Sequence, residues 1–316
     1  MLFETLSPNA VGAVLLAVLL AAVGGEAFLK GVLGIAAWLR LPKLLVATTL
    51  AAFATSSPEL TVSSIAALSG APEIGLGDAL GSNVVNISMI FGIALLFGSI
   101  NVEADALRRD FSVALFVPCL TFLLAMDGQL SRTDGYIFLL VFILWIGIVL
   151  RAGWVGRPAI RVETCTDHPS KAIFYGVFGL LALIGAGRLF VSGASQIALG
   201  LGVDTFVVGT TVVAIGTSLP ELVTVLLSRS RGHDEVGVGT LLGSNLFNGL
   251  AIVGVAASLH PISISLPEIS IALVFGVVGL MLLLPNRAGR LSRVRGVVLL
   301  ASYVGFVLLT IGIGHG

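Results

Sequence analysis

A nine-residue stretch that occurs twice constrains this chain more than any other feature. Ala52-Phe-Ala-Thr-Ser-Ser-Pro-Glu-Leu60 returns as Ala214-Ile-Gly-Thr-Ser-Leu-Pro-Glu-Leu222. Each copy is followed at the same interval by Gly-Ser-Asn-x-x-Asn, from Gly81 to Asn86 and from Gly243 to Asn248. A shift of 162 aligns both pairs without a gap, with 17 identities in the 41 positions from Ala52 to Gly92. These identities concentrate on Gly, Pro, Ser, Thr, Asn and Glu. Helices duplicated only for packing would share Leu, Ile and Val instead, so the repeat is expected to carry chemistry. It also extends outward: Phe28-x-x-Gly31 matches Phe190-x-x-Gly193 at the same shift, and Gly128–Gly135 matches Gly289–Gly296 at a shift of 161.

The solvent for this repeat is read from composition. The 316 residues are 57% hydrophobic and 11% charged, with a mean hydropathy of +1.08, whereas soluble domains carry about 25% charge. Apolar runs recur along the whole chain, each near the roughly 20 residues that cross a bilayer as a helix. The fold class expected is therefore all-α, a polytopic membrane protein of ten transmembrane helices. The spans fall near 9–37, 43–69, 73–99, 108–126, 134–152, 171–199, 204–229, 235–259, 267–285 and 293–313. The first apolar segment has no Lys or Arg before Lys30, so it reads as a span and not as a signal peptide. Cys119 within a span and Cys165 in a connection suggest no disulfide framework.

Charge placement then gives the topology. With these spans, 14 of the 17 Lys and Arg residues lie on one side, Arg132 alone lies on the other, and Lys30 and Arg188 fall inside spans. Basic residues favour the cytoplasmic side, so both termini face outward from a plasma or inner cell membrane. The chain divides into a five-helix repeat over 1–153, a cytoplasmic linker over 154–170 and a second five-helix repeat over 171–316. Five is odd, so the halves enter the membrane with opposite polarity. A 5+5 inverted-topology repeat is the arrangement in which secondary transporters hold substrate at the midplane.

Glu59 and Glu221 lie inside the second and seventh spans. Ionisable groups in hydrocarbon are costly and mark function by default; the alternative is a glutamate that merely locks helices together by pairing with Lys30 or Arg188. Pro58 and Pro220 directly precede them. Each proline removes a donor and clashes one turn back, so both spans should kink and free carbonyl oxygens near Ala54–Thr55 and Gly216–Thr217. Thr55 and Glu59 are four apart, as are Ser82 and Asn86, Thr217 and Glu221, and Ser244 and Asn248. Residues four apart share a helix face. Together with Ser56 and Ser218 they form an oxygen-only ligand set that suits a hard cation such as Ca²⁺ or Na⁺. Zinc or copper would call for Cys or His, and the four histidines sit near loops or ends. No further cofactor, nucleic acid or obligate protein partner is expected; the partners are the lipid bilayer and the transported cations.

These two motifs resemble the alpha repeats of the calcium/cation antiporter superfamily, the group of sodium–calcium exchangers. The resemblance spans essentially the whole chain. The second copy matches the family pattern closely, while the first departs from it at Ala54, where Gly is usual, and at Ser57, where Leu is usual. It implies a ten-helix fold and antiport of Ca²⁺ against Na⁺. It also implies that Glu59 and Glu221 are shared cation ligands, with hydroxyls from Thr55, Thr217, Ser82 and Ser244 and carbonyls from Ala52 and Ala214. Some relatives carry Asp where this chain has Asn248, which leaves the coupling ion and its stoichiometry open.

Three other readings compete. Antiport of Ca²⁺ against H⁺ keeps the fold and changes the coupling ion. Gly75-Leu-Gly-Asp78 spells the motif of intramembrane aspartyl proteases, but that chemistry needs a second membrane aspartate. Asp110, Asp127, Asp134 and Asp204 all fall near predicted span ends, and Asp78 aligns with Thr240 in the other copy. A channel could use midplane glutamates as a filter, but kinked helices in an inverted repeat favour a carrier over a channel or an enzyme.

Overall fold

The computed structural model describes residues 8–101, 104–155, 169–200, 214–264, 266–284 and 290–314. In chain order the helices are α1 (Pro8–Leu39), α2 (Lys43–Thr55), α3 (Ser57–Leu68), α4 (Pro72–Leu96), α5 (Ala104–Leu124) and α6 (Arg132–Val155). They continue as α7 (Pro169–Gly200), α8 (Ala214–Thr217), α9 (Leu219–Ser230), α10 (Asp234–Leu259), α11 (Leu266–Leu282) and α12 (Arg293–Gly314). Among the described residues, six helices are long and apolar enough to cross a membrane, and α2 and part of α11 are shorter apolar helices. Most of the expected 154–170 linker and the start of the expected seventh span, 204–213, lie outside the described residues.

The repeat seen in the sequence recurs in the element boundaries. Helix α3 and helix α9 begin and end 162 residues apart. Inside α4 and α10, one π-helical turn at Val85–Ile90 is matched by another at Phe247–Ile252. One residue separates each turn from the Gly-Ser-Asn triplet before it.

Burial sorts the helices into two groups. The apolar windows of α4 and α10 are 78% and 100% buried, against 33% and 28% for α1 and α7. The least hydrophobic of the six long helices is α10, and it forms the centre of the bundle with Leu241, Leu242, Leu246 and Leu250 fully enclosed. Helices α1 and α7 pack along one another at the periphery, with backbone contact at Gly31 and Gly176 and at Gly179 and Phe28. Each has 32 residues, or about 48 Å at the helical rise, which exceeds the roughly 30 Å hydrocarbon core and calls for tilt.

Four two-residue strands were not anticipated. β1 (Ile100–Asn101) pairs antiparallel with β4 (Arg290–Leu291), and β2 (Gln129–Leu130) pairs antiparallel with β3 (Ile262–Ser263). Each ribbon joins a segment of the first half to one of the second. β1 and β2 flank opposite ends of the 21-residue helix α5, so the two ribbons clasp the halves at opposite ends of the bundle. Asp110, expected near a span end, lies within α5 and is 2% exposed. Arg109 grips it through two bonds of 2.9 Å and Trp145 Nε1 donates at 3.1 Å.

Candidate cation site

The chain breaks between α2 and α3 at Ser56 (φ −85°, ψ 5°), and α8 and α9 break likewise at Ser218 (φ −84°, ψ 13°). The cause is local. Pro58 and Pro220 have no N–H to continue the preceding helix, but each suits the first turn of a new one. The restart puts Glu59 and Glu221 in the first turns of α3 and α9, where the positive end of the helix dipole favours a carboxylate.

The fate of the freed carbonyls in the first half differs from expectation. Ala54 O, released by Pro58, accepts the Ser57 hydroxyl at 2.7 Å. Ala52 O accepts both the Ser56 amide at 3.0 Å and the Thr55 hydroxyl at 3.3 Å. Ser57, one of the two departures from the family pattern, therefore closes the gap that the proline opens. In the second half Leu219 stands at that position and has no hydroxyl to donate.

Glu221 gathers groups from both halves. Its Oε1 accepts Ser244 Oγ at 3.3 Å and, at 3.5 Å, Ser56 Oγ from the other half. Ser244 Oγ lies 3.4 Å from Thr55 Oγ1. The contact between halves depends on Gly243, where a methyl group would overlap the Thr48 carbonyl oxygen and come within 2.6 Å of Ala52 Cβ. Without a side chain there, α10 lies directly on α2. Glu59 is brought within electrostatic reach of Glu221 and of Asp78.

Glu59 and Glu221 are each 1% exposed, and neither forms an ion pair among the described residues. Lys30 instead pairs with Glu26 at 3.6 Å, and Arg188 is exposed. Among the described residues, neither cation of the helix-locking alternative pairs with Glu59 or Glu221. Among the described residues, several buried polar atoms of the two motifs have no hydrogen-bond partner: Glu59 Oε2, Glu221 Oε2, Ser218 Oγ, Asn86 Oδ1, and both Oδ1 and Nδ2 of Asn248. Orphaned buried groups are uncommon and call for an explanation. Ser82 is buried in α4, Thr217 is half-buried at the end of α8, and Ala214 opens that helix.

Sequence reasoning passed over two asparagines, although both are identical in the two copies. Asn83 Nδ2 donates to Asn245 O and Asn245 Nδ2 donates to Asn83 O, each at 3.3 Å. Asn86 Nδ2 donates to Asn245 Oδ1 at 3.2 Å, so that amide is committed across the bundle. Its position in the π-helical turn also means that strict four-residue spacing with Ser82 does not govern where it points. Asp78, which the sequence offers only as half of a protease pair, is partly exposed in α4.

A bundle of apolar helices around unpaired carboxylates, hydroxyls and amides defines a membrane carrier for small cations. The profile of the sodium/calcium exchanger protein family matches residues 9–151 and 171–312, and the chain belongs to that family. It is 32% identical over 308 residues to the putative antiporter CaxA of Alkalimonas amylolytica, covering 94% of this chain and 97% of that protein. It is 28% identical to the sodium/calcium exchanger MaX1 of Methanosarcina acetivorans, covering 90% and 94%. Among solved structures it resembles the sodium–calcium exchanger NCX_Mj, with a TM-score of 0.82 and 26% identity over 95% of this chain and 98% of that one.

Proposed function

We propose that this protein exchanges Ca²⁺ for Na⁺ across the membrane by alternating access to one midplane site shared by Glu59 and Glu221. Ten crossings in a 5+5 inverted repeat, with both termini outside, are the architecture proposed for it. The exchange of strands between halves supports that architecture, because β1 and β3 are related by the 162 shift and β2 and β4 by 161. The observation that carries the functional reading is the unpaired state of two buried glutamates, one of them hydrogen-bonded by hydroxyls from both halves.

Two carboxylates supply a charge of −2, which one Ca²⁺ neutralises and two or more Na⁺ can replace. Thr55, Ser56, Ser82, Thr217, Ser218 and Ser244 would complete the oxygen shell, with the amides of Asn86 and Asn248 beside it. The carbonyls of Ala52 and Ala214 are included by likeness to the family, although Ala52 O already accepts two hydrogen bonds. An empty site would leave two like charges in a low dielectric, and that penalty opposes closure without cargo. The peripheral α1 and α7 are the elements that would move against the buried core.

Asn248 admits a second variant of this reading. With an amide there, the two glutamates carry the charge alone, and protons could replace Na⁺ at them. Uptake of radiolabelled Ca²⁺ into proteoliposomes under separate Na⁺ and pH gradients tests both. Uptake driven by outward Na⁺ at equal pH supports Na⁺ coupling. Uptake driven only by a pH gradient in Na⁺-free buffer would replace it with H⁺ coupling, and uptake under neither would remove the exchanger reading.

A further inference from the structure

We infer that Asp78 captures the incoming cation on one approach to the Glu59–Glu221 site, and so makes the two membrane faces unequal in apparent affinity. This rests on the carrier reading above and deepens it. Helices α3 and α4 run antiparallel from the Gly70 turn, and they touch where Gly75 abuts Ser63 so closely that a methyl group would overlap the serine hydroxyl. Moving away from that turn, Glu59 lies four residues before Ser63 on α3 and Asp78 three residues after Gly75 on α4. At about 1.5 Å per residue both carboxylates therefore lie at nearly the same depth, with Asp78 within electrostatic reach of Glu59.

Exposure gives Asp78 its distinct role. Asp78 is partly exposed, while its Oδ2 is buried with no hydrogen-bond partner among the described residues. Gly77 is exposed and Gly81 partly exposed, so this strip of α4 leads from the surface to the buried Ser82. Glu59, at the inner end, is 1% exposed and has its own unpartnered oxygen. The corresponding strip of the second half is closed: Gly239, Thr240 and Gly243 are all buried, and the Thr240 hydroxyl is spent on Val236 O at 2.9 Å. An acid thus stands on one approach and an internally satisfied hydroxyl on the other. Among the described residues no three His, Cys, Asp or Glu side chains come close enough to share one metal ion. Asp78 therefore acts ahead of the shared site, as a fixed negative charge that raises local cation concentration at a cleft.

The test uses the full-length protein in membrane vesicles of both orientations, with ⁴⁵Ca²⁺ as the probe. Asp78→Asn should raise the KM for Ca²⁺ offered at the Gly70 face by about tenfold, as expected for removing one charge near a low-dielectric path. The KM for Ca²⁺ offered at the opposite face should hold, and Asp78→Glu should restore the low value. An equal rise on both faces, or no rise at the Gly70 face, overturns the inference. Persistence of transport in Glu59→Gln would instead count against the carrier site itself, whatever Asp78→Asn does.

Discussion

Asn83 and Asn245, 162 residues apart, each donate a side-chain hydrogen bond of 3.3 Å to the other's main-chain carbonyl. This reciprocal pair joins α4 to α10 at equivalent points of the two copies, directly beside Ser82 and Ser244. Replacing either asparagine by alanine leaves a part-buried carbonyl without this donor, at a cost of about 1–3 kcal/mol. Thermal unfolding of the purified protein in detergent should show each single variant destabilised. The double variant should cost less than the sum of the two, because residues in one contact do not add independently.

Gly243 should tolerate no side chain. Gly243→Ala drives a methyl into the Thr48 carbonyl and Ala52 Cβ, separating Ser244 from Thr55 and dismantling the cluster around Glu221. Ca²⁺ uptake should be lost. Gly77→Ala meets nothing within 4 Å among the described residues and should stay close to wild type, so comparing the two variants separates close approach from a general glycine effect.

The strand ribbons allow the inverted repeat to be tested directly. In a background lacking Cys119 and Cys165, paired cysteines at Gln129 and Ser263 and at Asn101 and Arg290 occupy facing positions of the ribbons. Facing Cα atoms in such ladders are about 4.5–5.5 Å apart, within disulfide reach. Both pairs should cross-link on oxidation. A membrane-impermeant thiol reagent should reach the single cysteine at Gln129 from outside and that at Arg290 only from inside.

Much of this arrangement was legible in the sequence because its chemistry was written twice. The motif shift located Glu59 and Glu221, and the helices around them start and stop at the same shift. Proline before each glutamate announced the break, although its consequence at Ala54 depended on Ser57, one side chain that the pattern treats as a departure. The pairing of Asn83 with Asn245 was not legible, because four-residue spacing describes faces of a single helix and says nothing about contacts between two. The π-helical turns shift Asn86 and Asn248 off the faces that α-helical spacing assigns. Two-residue strands are too short to leave a periodic signal, and Asp78 has no counterpart in the second copy to mark it.

The Thr55, Ser56 and Ser244 hydroxyls should act as a group around Glu221. Ser56→Ala and Ser244→Ala each remove one donor to Oε1, and a lost hydrogen bond to a charged group is worth about 1.5–3 kcal/mol. Each variant should raise the KM for Ca²⁺ by roughly tenfold or more at unchanged expression. Thr61→Ala, whose hydroxyl bonds Ser57 O on the exposed side of α3, should leave it unaltered.

The central proposal is that one acid from each half grips a single ion. Initial ⁴⁵Ca²⁺ uptake by Na⁺-loaded proteoliposomes containing Glu59→Gln or Glu221→Gln, at matched protein incorporation, measures this most directly. Uptake should fall to the protein-free background in each single variant, since neither carboxylate alone balances a divalent charge. Wild-type uptake in both would contradict the shared site and, with it, the mechanism.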